Sequence, residues 1–241
     1  MGSLLQMERL NGQLKIGAIV FPQMDQMDFT GPFEVLSRIP DSKFHVLWKR
    51  RDPVTDVHGL IITPDTSFAE SPPLDLLVVP GGQGQELLMK DNDVLQFIQE
   101  QARGARYVFS VCTGALLCGA AGLLRGVKAT THWSAFHLLG YFGAIPCNRR
   151  VVADGQHVSS SGVTAGIDGA LLIASFLRGE RVAEQIQLAM EYAPEPPFNS
   201  GTPTTASPEI VEAARSAMQE ITSRRHATAR RVAFEMGFSR F

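Results

Sequence analysis

Cysteine is scarce in this chain: Cys112, Cys118 and Cys147 are the three among 241 residues. So small and odd a number is poor material for a disulfide framework and points to a reduced, cytoplasmic setting. An excess of charge of one sign is missing too. Twenty-two Lys and Arg stand against 24 Asp and Glu, a formal net charge of −2. That balance gives no electrostatic reason to expect nucleic acid or an anionic membrane as partner. No apolar run approaches the roughly 20 residues that a membrane-spanning helix needs. Residues 1–13 hold Glu8 beside Arg9 and no sustained apolar run, unlike a secretory signal. Internal repeats, low-complexity tracts, HExxH and paired CxxC spacings are all absent, and the six histidines are scattered, so no metal is expected. The stretch GGQGQE at 81–86 lacks the terminal Gly-Lys-Ser/Thr of a P-loop.

What is present alternates between two patterns. Residues 15–21 (KIGAIVF) and 74–80 (LDLLVVP) are short, β-rich apolar runs of the kind that form fully buried strands. Residues 44–48, 60–63 and 107–111 read as further strands. Between them, 31–38 reads as a helix with Pro32 in its first turn and Asp28 and Thr30 as candidate caps. Residues 91–103 place Val94, Phe97, Ile98 and Ala102 at helical spacing, and 113–124 is small, apolar and helical. Strands of about five residues alternating with helices of ten or more argue for βαβ units around a parallel sheet. Segments 151–153 and 157–159, joined by Asp154-Gly155, read as a hairpin. Helices follow at 164–177 and 182–192, then a Pro-, Ser- and Thr-rich loop at 193–208, then a last helix from 209 to 235. The expected organisation is an N-terminal extension (1–14), one α/β domain (15–207), and a C-terminal helical appendage (208–241) packed on it.

Cys112 lies between a strand and a helix, where the chain must turn sharply at the carboxyl edge of a parallel sheet. Open α/β folds bind ligands at such edges, and nucleophile elbows use the same geometry. The positive end of the following helix favours thiolate over thiol. Its first free N–H groups, beginning with Thr113, can stabilise negative charge developing on a substrate. A free cysteine can equally be a small buried hydrophobe. Asp28 follows the first strand, within reach of the same edge, where a carboxyl could serve as general acid or simply cap a helix. Gly81-Gly82 after Pro80 would let backbone N–H groups approach a ligand or just form a turn. His132-Trp133, after Thr130-Thr131, reads as a site histidine or as one packed beside a core tryptophan.

Taken together, these residues resemble a known family. Ser110-Val111-Cys112-Thr113-Gly114-Ala115, Val78-Val79-Pro80-Gly81-Gly82 and Thr130-Thr131-His132-Trp133 resemble the PfpI-like superfamily, whose fold is that of class-I glutamine amidotransferases. More narrowly, Asp28-Phe29-Thr30-Gly31-Pro32, the segment Gly162 to Asp168 (GVTAGID) and the segment Tyr192 to Phe198 (YAPEPPF) look like its isocyanide hydratase branch. The likeness runs from about Lys15 to the last helix. It implies a flavodoxin-like α/β sandwich with a mostly parallel sheet, usually a homodimer, and no cofactor. It implies that Cys112 is the nucleophile, Asp28 its acidic partner, and that Thr113 and Gly82 donate from the backbone, Thr113 with its hydroxyl as well. Gly81, His132, Trp133, Val163 and Thr164 would line the pocket. Protease and amidotransferase branches pair the cysteine with a histidine; Thr113 stands after this one, so no such dyad forms at that turn.

The activity the resemblance implies is hydration of a small-molecule isocyanide to an N-substituted formamide through a thioimidate on Cys112. Rival readings are a cofactor-independent glyoxalase, whose acid is usually Glu rather than Asp, and a redox sensor using an oxidisable Cys112. Sensor domains of AraC-type regulators share some motifs, but residues 209–241 are too few for their paired helix-turn-helix module. Arg224, Arg225, Arg230 and Arg231 on the last helix are expected to form a solvated face.

Overall fold

Apolar runs too short for helices pair side by side through the middle of the molecule. In a computed structural model of the chain, which describes residues 12–238, β1 (Leu14–Ile19) leads to α1 (Gln26–Leu36) and β2 (Ser42–Trp48). A small ribbon, β3 (Val54–Thr55) with β4 (Ile61–Ile62), precedes β5 (Thr66–Ser67) and β6 (Leu76–Val79). The short α2 (Gln85–Leu88) and α3 (Asn92–Gly104) come next, then β7 (Tyr107–Val111) and α4 (Gly114–Ala120). β8 (Lys128–Ala129) and β9 (Ile145–Pro146) flank a 3₁₀ stretch over Trp133–Phe142. The hairpin β10 (Val151–Asp154) and β11 (His157–Ser160) follows, and four helices end the chain: α5 (Ala165–Arg178), α6 (Glu180–Ala189), α7 (Pro208–Ala217) and α8 (Gln219–Glu235).

The main sheet has the order β10-β11-β7-β6-β1-β2-β5. Every pairing in it is parallel except β10 with β11. All four residues of β6 are buried, as are five of the six in β1. That is the pattern of strands covered by helices on both faces. α3 shows how a helix covers them. Val94, Phe97, Ile98 and Ala102 form one buried stripe, and the Asp91 carboxylate accepts from the Val94 N–H at 3.2 Å to cap the first turn. Each large side chain in such a stripe contributes about 1.5–3 kcal/mol through removal from water. α1 and α5 pack together against the sheet, and α8 crosses the 3₁₀ stretch and touches α2 and α4. This α/β architecture, with its elbow between β7 and α4 and its helical C-terminal region, is the expected one.

Five details depart from expectation. The first helix starts at Gln26, and its cap is Asp25, whose carboxylate accepts from the Met27 N–H at 3.0 Å. Asp28 therefore caps nothing, and Thr30 lies inside the helix. Pro32 sits in the helix interior rather than its first turn, and it has no N–H to give to the Asp28 carbonyl. The proposed strand at 60–63 is reduced to Ile61–Ile62, paired outside the main sheet. The last helix is two helices, broken at Met218, whose φ of −100° and ψ of 3° leave the helical region. The 3₁₀ run over Trp133–Phe142 has no counterpart in the sequence pattern, because it turns in three residues and lacks the α-helical period. The expected 1–14 extension falls mainly outside the described residues; β1 opens at Leu14.

Candidate active site

β7 ends at Val111 and α4 begins at Gly114, so two residues make the whole turn. Cys112 bears the strain with φ +55°, a left-handed conformation that a side chain rarely adopts. Three bonds hold it there. The Cys112 N–H donates to the Ser160 carbonyl at 3.1 Å, continuing the β7–β11 ladder past its end. The Thr131 hydroxyl donates to the Cys112 carbonyl at 2.7 Å. The Thr113 N–H donates to the sulfur. The Thr130-Thr131 pair is thus a clamp: the Thr130 N–H in turn donates to the Ser159 hydroxyl at 2.9 Å.

Asp28 comes from the third position of α1 and is completely buried. Its Oδ2 accepts from the Gly81 N–H at 2.9 Å, while Oδ1 has no hydrogen-bond partner among the described residues. Burial, reinforced by the Asp25 charge, pushes the Asp28 carboxyl up to about 8, although the Gly81 bond opposes the rise. Cys112 is 7% exposed, and burial followed by the nearby Asp28 charge pushes its thiol well up as well. The Asp28 charge makes ionisation of Cys112 harder, while the Cys112 side chain only partly offsets the burial of Asp28, so both groups keep their protons at neutral pH. Here the expectation of a helix-stabilised thiolate needs amending. Burial outweighs the start of α4, and the Thr113 N–H and the charge of Arg225 only partly oppose it.

The Gly81–Gly82 turn fits tightly under the elbow. A Cβ at Gly81 would come within 2.5 Å of Thr113 Oγ1 and 2.6 Å of Thr113 N, and Gly82 has φ +123°. Glycine is required at both. Gly82 was expected to offer a free backbone donor; instead its N–H donates to the Thr113 hydroxyl at 3.2 Å. The two glycine N–H groups orient Asp28 and Thr113 rather than standing open.

Other expected residues lie near but do not converge on the sulfur. The His132 ring faces Ser134, with Nδ1 2.8 Å from the Ser134 hydroxyl, and caps the 3₁₀ stretch. Burial, and secondarily the Arg225 charge, pushes His132 down to about 4, so it is neutral. Trp133 is half-buried with its ring 5.5 Å from that of His132. Val163 and Thr164 follow β11 in the loop beside the elbow. Thr164, however, is exposed and its hydroxyl accepts from Arg150 at 3.3 Å. Arg150 also pairs with Asp168, whose Oδ1 accepts from the Tyr192 hydroxyl at 2.7 Å. The two motifs around Asp168 and Tyr192 thus tie the chain after α6 to the start of α5. No three His, Cys, Asp or Glu side chains gather as a metal site would need, among the described residues.

One site residue was missed outright. Arg225 on α8 is 6% exposed, not solvated, and donates from Nη2 to the Gly82 carbonyl at 2.6 Å. Arg224, Arg230 and Arg231 do face solvent. A signal existed: Ile221, Arg225, Thr228, Ala229 and Val232 are spaced as one helical face, and Arg225 falls inside its apolar stripe.

A family model for the DJ-1/PfpI family matches residues 14–175. The chain belongs to the DJ-1/PfpI family. Among its DJ-1/PfpI relatives, the isonitrile hydratase of Pseudomonas putida is 52% identical over 202 residues, covering 84% of this chain and 89% of that one. Among solved structures, a THiJ/PfpI family protein from Pseudomonas syringae superposes with TM-score 0.88 at 40% identity, over 90% of this chain and 91% of that one. The HTH-type transcriptional regulator GbdR of Pseudomonas aeruginosa is 32% identical over 130 residues, which are 53% of this chain but 35% of the regulator. Among the described residues, no helix is long and apolar enough to cross a membrane.

Proposed function

We propose that this protein is an isonitrile (isocyanide) hydratase that adds water to R–N≡C to give the N-substituted formamide R–NH–CHO. Its 52% identity to the Pseudomonas putida isonitrile hydratase supports the reaction. The observation that carries the mechanism is the meeting of a strained elbow cysteine with a buried, proton-holding carboxyl.

The terminal carbon of an isocyanide is basic and becomes electrophilic once protonated. A site for its hydration needs a proton donor and a nucleophile at one carbon. Asp28, neutral because it is buried, gives its proton to that carbon as the Cys112 sulfur bonds to it, and the carboxylate so formed takes up the thiol proton, leaving the thioimidate R–N=CH–S–Cys112 and Asp28 again protonated. Water then adds across C=N: its oxygen bonds to carbon, one proton goes to nitrogen, and Asp28 relays the transfer. Collapse of R–NH–CH(OH)–S–Cys112 forms the carbonyl and breaks the C–S bond, and the departing hydroxyl proton restores the Asp28–Cys112 pair. The Thr113 N–H, already directed at the sulfur, stabilises charge there as the bond breaks. In this scheme Gly81 holds Asp28 and Gly82 holds Thr113 beside the sulfur, and no cofactor enters.

The same reading makes the protein a cytoplasmic homodimer, in keeping with three free cysteines and with the family resemblance. The test is formamide production from an aryl isocyanide by wild type and by Cys112→Ala. Turnover that vanishes in the variant supports the proposal. A folded wild type that makes no formamide, yet makes lactate from methylglyoxal, replaces it with the glyoxalase reading.

A further inference from the structure

A buried guanidinium must be satisfied by acceptors and balanced by an anion, or it is too costly to keep. Arg225 meets the first condition with two neutral acceptors: Nε donates to Gln85 Oε1 at 3.2 Å and Nη2 to the Gly82 carbonyl at 2.6 Å. The second condition is met less directly. From α2, buried Glu86 faces it, but Glu86 Oε1 already accepts the hydroxyl of Thr228. Asp25 and Asp28 face the region from α1, Cys112 from the elbow, and neutral His132 from the 3₁₀ stretch. On α8 itself, Arg224 points to solvent and pairs with Glu220 at 3.5 Å, while His226 Nε2 lies 2.9 Å from the Tyr141 hydroxyl. Arg225 is therefore the buried cation of a neighbourhood whose other chargeable groups include the Asp28–Cys112 pair.

Resting on the hydratase reading, we propose that Arg225 is a positioning residue for the reaction, fixing the Gly81–Gly82 turn through the Gly82 carbonyl and balancing the thiolate of Cys112. Through that carbonyl it sets the plane of the turn whose N–H groups hold Asp28 and Thr113. Its charge opposes the burial that otherwise keeps both Cys112 and Asp28 protonated. α8 is then part of the active site.

The test titrates the Cys112 thiolate by its ultraviolet absorbance, as the difference between each chain and the same chain carrying Cys112→Ser, so that Cys118 and Cys147 cancel. Arg225→Gln keeps a donor for the Gly82 carbonyl and removes the charge; its thiolate midpoint should rise by about one pH unit or more. Arg225→Lys should restore most of that shift, and Arg224→Gln should leave the midpoint where it is. An Arg225→Gln chain that titrates like wild type overturns the proposal. Should that chain not fold, Arg225→Lys decides through kinetics. Loss of the two-donor fork should lower kcat for formamide formation about tenfold with KM little changed, and an unchanged kcat overturns the proposal. A wild type that makes no formamide ends the hydratase reading, while the thiol titration still decides whether Arg225 tunes Cys112.

Discussion

Cys112, at the elbow before α4, and Cys118, inside α4, are both buried, yet their surroundings differ in kind. Around Cys118, 1% exposed, burial pushes the thiol up to about 12 with only its own backbone N–H opposing the rise. Around Cys112 burial is opposed by the Thr113 N–H and the buried cation Arg225 of α8, while a carboxyl from α1 stands beside the sulfur and Thr131 clamps the Cys112 carbonyl. Burial by itself yields an inert thiol. A reactive one needs charge and donors delivered from elements far apart in sequence, which the carboxyl edge of the sheet brings together.

Several substitutions should break or sharpen that contrast. Removing the Cys112 sulfur as Cys112→Ala should lower formamide turnover by about a thousandfold or more. Next in size is Asp28→Asn, which keeps shape but cannot relay a proton and should cost about 10²–10⁴-fold in kcat. It also carries a stability signature. Folded Asp28 holds its proton up to about 8, well above the ordinary carboxyl value of 3.8. The folded state therefore binds more protons than the unfolded state between those values, and stability falls as pH rises. The slope is about 1.4 kcal/mol per pH unit from this one group. Denaturant unfolding of wild type and Asp28→Asn across that window should show the wild type losing stability relative to the variant, and levelling off above the folded value.

Thr131→Val tests the clamp. It leaves the buried Cys112 carbonyl without its side-chain donor, so it should destabilise the fold by about 1–3 kcal/mol in denaturant unfolding. Turnover should fall as the elbow loosens. The smallest effect belongs to the cysteine inside the helix: Cys118→Ala removes one buried sulfur and should cost about 1 kcal/mol by the same measurement, with turnover unchanged.

Much of this site was legible from particular residues. Continuous apolar runs such as the LLVV of β6 announce a sheet covered on both faces, and Cys112 between a strand and a helix announces the elbow. Resemblance ties Asp28 to the sulfur, but the local pattern misleads about its cap role, because a Pro usually marks a helix start and here the helix begins six residues before it. The cap is Asp25, and the helix runs through the proline. Gly82 was correctly seen as a close-approach glycine, but which partner its N–H finds depends on the Thr113 rotamer, which no local pattern encodes. Arg225 lay hidden because four arginines in one segment suggest a wet face. Only the register of Ile221, Thr228, Ala229 and Val232 shows that one of the four points inward. Partners that meet across 140 residues, as Arg225 and Gln85 do, leave little local trace.

The most direct test of the central claim is to quench the enzyme during turnover with an aryl isocyanide and locate any covalent adduct by peptide mass. The account predicts an increment equal to one whole isocyanide on the peptide region of Cys112, absent from Cys118 and Cys147, and lost together with turnover in Cys112→Ala. An adduct on Cys118 or Cys147 instead, or formamide production that persists in Cys112→Ala, would contradict it.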